Sequence, residues 1–150
     1  SDPSYVMIRI ALEAGVPVQS IPGATALIPA LVVSGLACER FVFEGFLPAK
    51  KGRQTRLQQL KNEPRTIVLY ESPHRVLKTL ADLLAALGDR RVAIVRELTK
   101  KFEQVLRGSL SEFVAQPTRV ILKGEFVLVV EGLHRRLAKT GQDEMNEYED

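Results

Sequence analysis

Thr66-Ile67-Val68-Leu69-Tyr70-Glu71-Ser72-Pro73-His74-Arg75-Val76-Leu77 decides the fold. Residues 66–70 are apolar or β-branched, the pattern of a buried strand. Ser72-Pro73 then reads as a helix start, with a hydroxyl for the orphan amides and a proline in the first turn. Val76, Leu77, Leu80, Leu83, Leu84 and Leu87 form a wide apolar stripe at helical spacing, and Gly88 ends it. Arg91 to Glu97 is a second strand. Strand, helix and strand in succession define an α/β protein.

The reading extends both ways from this centre. Downstream, Gln104 to Arg107 is predicted as a strand and Gly108 as a turn. Ser109 with Glu112 makes a capping box for a short helix through Ala115. Glu125 to Glu131 carries the clearest strand pattern in the chain. Upstream, Lys51 to Asn62 is predicted as a helix closed by Pro64, and Glu44 to Pro48 as a linker. Phe41-Val42-Phe43 opens the unit, so residues 41–133 read as one complete α/β domain.

Residues 1–37 read as helix, strand and helix. Asp2 suits an N-cap and Pro3 the first helical position; Met7, Ile10, Ala11 and Ala14 share a face, and Gly15 is the stop. Pro17 to Ile21 is predicted as a short strand. Ala24 to Ser34 is predicted as a helix with Pro29 in its first turn. Three elements cannot enclose a core. Residues 1–40 are therefore expected to be the end of a larger amino-terminal α/β domain, and the chain a piece of a longer protein.

The 150 residues are 45% apolar and 26% charged, the balance of an ordinary globular protein, and no apolar run is long enough for a membrane span. The lone cysteine, Cys38, reads as a small core side chain, and a cytoplasmic location is the expectation. The net charge of +3 hides an asymmetry. Asp143, Glu144, Glu147, Glu149 and Asp150 crowd the end of a segment, 134–150, that is expected to be a disordered acidic tail. A body this basic calls for a polyanionic partner such as nucleic acid.

Most catalytic constellations are absent from the sequence. There is no Gly-x-Gly-x-x-Gly, no P-loop and no Gly-x-Ser-x-Gly; the two histidines, His74 and His134, lie far apart, and no metal site is expected. Four polar clusters interrupt the apolar pattern: Glu44 to Lys50, Tyr70 to Arg75, Arg96 to Lys100, and Lys123 to Phe126. The second and third fall at carboxyl ends of strands, where open α/β sheets gather ligands. Read without further context, the same residues are strand-to-helix turns and surface ion pairs.

Six segments in one order carry a resemblance: Ser1-Asp2-Pro3, Ile21-Pro22-Gly23-Ala24, Phe43 to Lys50, Tyr70 to Arg75, Arg96 to Lys100 and Gly124 to Gly132. Together they resemble the bacterial small-subunit rRNA cytidine 2′-O-methyltransferase family of the tetrapyrrole methylase superfamily. The resemblance implies a carboxy-terminal mixed-sheet α/β domain of that superfamily's type. It also implies a homodimer that holds S-adenosyl-L-methionine between two domains and acts on a 16S rRNA cytidine of the small ribosomal subunit. Ser1, Asp2 and Pro3 resemble the end of a cofactor-side loop. Tyr70 and Glu71 match positions that offer backbone groups to adenine, and Gly124, Glu125 and Phe126 match a stretch lining the adenosine pocket. Ser4 departs from the family's usual glycine, and the family's amino-terminal strand and Gly-rich loop are missing, so this chain alone is expected to bind cofactor weakly and to be inactive.

Under the same resemblance, Lys50, Lys51, Arg53, Arg56 and Arg75 become candidates to hold RNA phosphates, Arg53 and Arg56 sharing a helix face at i, i+3. A solvated helix face is the plainer reading. Aligning the ribose 2′-oxygen behind an activated methyl lowers much of the barrier, and a base near that hydroxyl would help. Glu71, His74, Glu97 and Lys100 are the titratable candidates; the sequence does not choose the base among them, Glu97 or Lys100 is expected to matter most, and His74 reads more plainly as a surface side chain. Two other functions stay open: methylation of a tetrapyrrole, and RNA binding or dimerisation without catalysis.

Overall fold

The computed structural model describes residues 3–133. The acidic tail and Ser1 and Asp2 lie outside the described residues. Eleven regular elements comprise helices α1 (Pro3–Glu13), α2 (Leu27–Ser34), α3 (Arg53–Leu60), α4 (Val76–Leu87) and α5 (Leu110–Ala115), a 3-10 turn at Pro117–Arg119, and five strands. The strands are β1 (Phe41–Phe46), β2 (Thr66–Glu71), β3 (Arg91–Arg96), β4 (Gln104–Ser109) and β5 (Phe126–Val130).

The sheet order is β1-β2-β5-β3-β4. β1 and β2 run parallel; β5 is antiparallel to both β2 and β3, and β4 is antiparallel to β3. β2 and β3 are thus parallel strands with β5 inserted between them, which makes the sheet mixed. Alternate residues feed opposite faces. Ile67, Leu69, Val92, Ile94, Leu128 and Val130 pack under α3, α4 and α5, where Leu57, Leu80, Leu83 and Phe113 complete the larger core. Val68, Ala93, Val95, Val127 and Val129 pack on the other face, against Ala30 and Leu31 of α2. With both faces covered, the central strands are continuously apolar, as their sequences demand.

Several expectations change. Pro17–Ile21 forms no strand; this exposed stretch has no neighbouring strand to pair with among the described residues. The segment from Glu44 to Phe46 is the end of β1 rather than linker. The register slips between Phe43 and Gly45, and Gly45 takes φ +61°, so a β-bulge absorbs the Glu-Gly pair that reads as a break in sequence. Helix α4 starts at Val76, not at Ser72. The Ser72 side chain caps nothing, and its amide donates to the Glu71 carboxylate instead. Cys38 is exposed rather than in the core. Pro29 sits in the first turn of α2, and Ser109 and Glu112 form the reciprocal capping box.

Helix α1 is exposed along nearly its whole length, including Tyr5, Met7 and Ile10. No helix among the described residues is long and apolar enough to cross a membrane.

Candidate active site

Topology gathers the four polar clusters. Because β1, β2 and β3 share a direction and β5 opposes them, the ends of the first three and the start of β5 lie on one edge of the sheet. Phe46–Lys51, Glu71–Arg75, Glu97–Lys101 and Lys123–Phe126 therefore converge there, around the strand ends where α/β folds place ligands.

A cleft of about 360 Å³ opens at this edge, lined by Ala26, Phe46, Tyr70, Glu71, Ser72, Pro73, Gly124, Glu125, Phe126 and Val127. Its size and largely apolar wall suit a small cofactor or nucleoside. Tyr70, Glu71, Gly124, Glu125 and Phe126, the five residues that the resemblance puts at the adenine and the adenosine, meet in it. Phe46, Ser72, Pro73, Ala26 and Val127 complete the lining; the first three fall inside the polar clusters and Val127 inside the last motif without being singled out as site residues, and Ala26 falls in neither. Phe46 had a local signal, a large apolar side chain at a strand end; Ala26 had none, because only the packing of α2 brings it there. Phe43 and Phe46 meet the Tyr70 ring edge-on, with centroids 5.0 Å and 5.9 Å away, which fixes the aromatic wall.

The turn after β2 is held from behind. Glu71 is 3% exposed. Its carboxylate accepts from the Ser72 amide at 2.8 Å and from the Thr79 hydroxyl at 2.6 Å, and lies 3.4 Å from Arg75 Nε. Thr79 Oγ1 in turn accepts from Arg53 at 2.8 Å, and Arg53 pairs with Asp82 at 2.7 Å. Arg75 donates to the Leu47 carbonyl at 2.6 Å. One network thus ties the cleft turn to α3, α4 and the segment after β1. Burial raises the Asp82 carboxyl, but the hydrogen bonds from Arg53 and Lys78 outweigh it and hold the group below its ordinary value.

Across the cleft, Glu97 and Lys100 hold the β5 entry. Glu97 Oε1 accepts from the Glu125 amide at 2.9 Å, and Lys100 Nζ reaches Glu97 at 3.1 Å and Glu125 at 2.9 Å. The Glu125 amide first, then the Lys100 ammonium, keep the Glu97 carboxyl below its usual range. The Glu125 and Glu97 carboxylates raise Lys100 above the ordinary amine value. Glu97 and Thr99 both sit at positive φ, +50° and +64°, a conformation that costs a non-glycine residue about 1–3 kcal/mol.

The four catalytic candidates therefore differ. Glu71 is buried among its own partners, and Glu97 and Lys100 are committed to each other and to Glu125. His74 is exposed on the turn and has no ion pair among the described residues. The RNA candidates divide as well. Arg53 is a correction: only 5% exposed, it points into the α3–α4 contact, because its guanidinium satisfies Asp82, Thr79 and the Pro48 carbonyl. Arg56 forms a two-point pair with Glu44, at 2.5 Å and 2.7 Å. Lys50 and Lys51 are exposed and lack a carboxylate partner among the described residues.

Known proteins share this chain's sequence family and fold. A protein named ribosomal RNA small subunit methyltransferase I from Synechocystis sp. is 53% identical over 134 residues, covering 88% of this chain and 48% of its own length. Its namesake from Halalkalibacterium halodurans is 49% identical over 133 residues, covering 88% and 46%. The chain thus spans about half the length of these relatives. Among solved structures, the methyltransferase CobJ superimposes with a TM-score of 0.62 at 19% identity, over 85% of this chain and 56% of that one. The uroporphyrin-III C-methyltransferase of Thermus thermophilus, solved with S-adenosyl homocysteine, gives 0.57 at 21% identity, over 87% and 59%. At that identity they establish the fold alone. The sequence profile of the Tetrapyrrole (Corrin/Porphyrin) Methylases matches residues 1–114. Mixed sheet, edge cleft and profile coincide: the chain belongs to the tetrapyrrole methylase family.

Proposed function

We propose that this chain is part of an S-adenosyl-L-methionine-dependent methyltransferase that modifies the ribose 2′-oxygen of a cytidine in 16S rRNA. The observation that carries the reading is the convergence of Tyr70, Glu71, Gly124, Glu125 and Phe126 on one apolar cleft. The identity of 49–53% to relatives named as small-subunit rRNA methyltransferases supports the substrate.

The residues present fit the cofactor's nucleoside end. Phe46, Tyr70 and Phe126 offer apolar wall, and Gly124, at φ +90°, brings bare backbone to the cleft. When bound, the cofactor supplies an activated methyl group. The chain's own part is to exclude water with the aromatic wall, to hold the cleft turn through Glu71 and to hold the β5 entry through Glu97 and Lys100. Pre-set geometry of this kind does most of the work in a displacement at an already activated carbon. His74, exposed on the turn that lines the cleft and without an ion pair among the described residues, is the one of the four candidates left free to exchange a proton with the ribose hydroxyl. Ser1, Asp2 and Pro3 belong in this reading to a cofactor-side loop, and Lys50 and Lys51 to an RNA phosphate contact.

The same reading places residues 1–40 at the end of an amino-terminal domain, with α2 reaching across to pack on the sheet of the second, the assembly as a homodimer and the protein in the cytoplasm. The exposed apolar residues Tyr5 and Met7 of α1, and Ile28 and Val32 of α2, give surface for a second copy or for the rest of the full-length protein to cover.

The test uses the full-length protein with labelled S-adenosyl-L-methionine and small ribosomal subunits lacking the modification, followed by nucleoside analysis. Label in 2′-O-methylcytidine supports the reading. Label in a base, in another nucleoside, or in no RNA at all overturns it.

A further inference from the structure

We propose that the turn after β3 and the segment entering β5 form a docking surface for single-stranded RNA, with Phe102 as a base-stacking platform and Lys101 and Lys123 as phosphate contacts. The proposal rests on the rRNA reading above and extends it to the strand that flanks the target nucleotide.

Phe102 is 64% exposed, and Lys101 Nζ lies 5.6 Å from its ring centroid. An aromatic ring standing off a turn contributes little to the core, whereas its free face accepts any base. Lys101 and Lys123 are exposed, and neither has a carboxylate partner among the described residues. Lys100, next to Lys101 in sequence, is already committed to Glu97 and Glu125. The remaining nearby acid, Glu103, accepts from the Thr99 amide at 2.5 Å.

The two segments are built as one unit. Arg96, 8% exposed, donates from Nε to the Lys123 carbonyl at 2.6 Å and from Nη1 to the Phe102 carbonyl at 3.2 Å. A buried guanidinium thus clamps the backbone of the very residues that would meet RNA. Fixing ring and cation beforehand reduces the ordering that binding must otherwise impose.

Placement fits a strand crossing the cleft. Arg96 pairs in register with Phe126, a cleft residue, so the patch adjoins the cleft on the β3 side. Lys50 and Lys51 follow β1, on the other side of β5. Cations therefore flank the cleft at both ends, with the aromatic ring at one of them. Ile121 and Leu122, each 51% exposed, border the same patch and would suit a second copy of the chain instead.

Fluorescence anisotropy of the 150-residue chain with a labelled single-stranded RNA of about 15 nucleotides, at several salt concentrations, decides between these. Folding of each variant is checked by thermal melting. Phe102→Ala is expected to weaken binding about tenfold with an unchanged salt slope, and Phe102→Trp to restore it. Lys101→Ala with Lys123→Ala is expected to lower the logarithmic salt slope by about 1.4. If these variants bind like the parent while Lys50→Ala with Lys51→Ala weakens binding, RNA lies elsewhere; the docking surface is overturned and the methyltransferase reading stands. If no RNA binds, the docking surface is overturned, and the nucleoside assay alone judges the methyltransferase. If Phe102→Ala changes only self-association in sedimentation, the patch belongs to a second copy, which also overturns the proposal.

Discussion

Glu97 fills the space that a side chain at Gly124 would need. A Cβ built on Gly124 would lie 2.6 Å from Glu97 Cγ, and the glycine holds φ +90°. The strand-end carboxylate and the bare backbone are therefore two halves of one cleft wall. Gly124→Ala is expected to lower stability by about 1–3 kcal/mol and to raise the KM for S-adenosyl-L-methionine in the full-length enzyme. An unchanged KM would separate this wall from cofactor binding.

Glu97 and Lys100 are expected to act as positioning residues. Glu97→Gln and Lys100→Met should raise the cofactor KM by about tenfold, the loss of one or two charge-assisted hydrogen bonds, with a smaller fall in kcat. A pH–rate profile tells this apart from proton transfer. If Glu97→Gln abolishes the acidic limb of kcat and leaves KM alone, the carboxylate is the base and the positioning role is wrong.

Arg53 and Lys50 with Lys51 should behave oppositely although all are basic and within four residues. Arg53→Ala leaves the half-buried Asp82 without its main partner and should cost about 3 kcal/mol in denaturant unfolding. Lys50→Ala with Lys51→Ala should leave stability within about 0.5 kcal/mol and lower the salt slope of RNA binding. Equal unfolding midpoints for Arg53→Ala and its parent would contradict the buried pairing.

Acid should weaken the α3–α4 contact through Asp82. Its folded pKa lies below the unfolded value, so its contribution is fully present above the ordinary carboxylate range and is lost as pH falls through the folded value. Asp82→Asn should therefore be less stable than the parent at neutral pH, with the difference shrinking below about pH 4. A difference that stays constant down to acid unfolding would show that the charge of Asp82 contributes nothing.

Strands and helices were legible where side-chain period and burial coincide. Ile67 to Leu69 and Val127 to Val130 are apolar because both sheet faces are covered, and no competing pattern exists. The β1 bulge was not legible, since Glu44-Gly45 looks like a break until Tyr70 on β2 packs against Phe43 and Phe46. Arg53 and Arg56 share a helix face by spacing alone. Only the approach of α4 buries one and leaves the other paired to Glu44 at the rim. The five cleft residues that resemblance supplied come together only through the strand order, which no local pattern encodes. Phe102 and Lys123, more than twenty residues apart, are joined through Arg96, a residue that reads as the end of a strand.

The position of β5 bears on how the protein is made. This strand, the last of the five in sequence, is the sole link in the described sheet between the β1–β2 pair and the β3–β4 pair. Until residues 126–130 leave the ribosome, a nascent chain carries two half-sheets whose inner edges, β2 and β3, are both open. Such edges are templates for wrong pairing. Synthesis stalled ahead of Phe126 would leave a sticky intermediate with no cleft, whereas release of five more residues seals the sheet and brings the β5 wall to Tyr70 in one event.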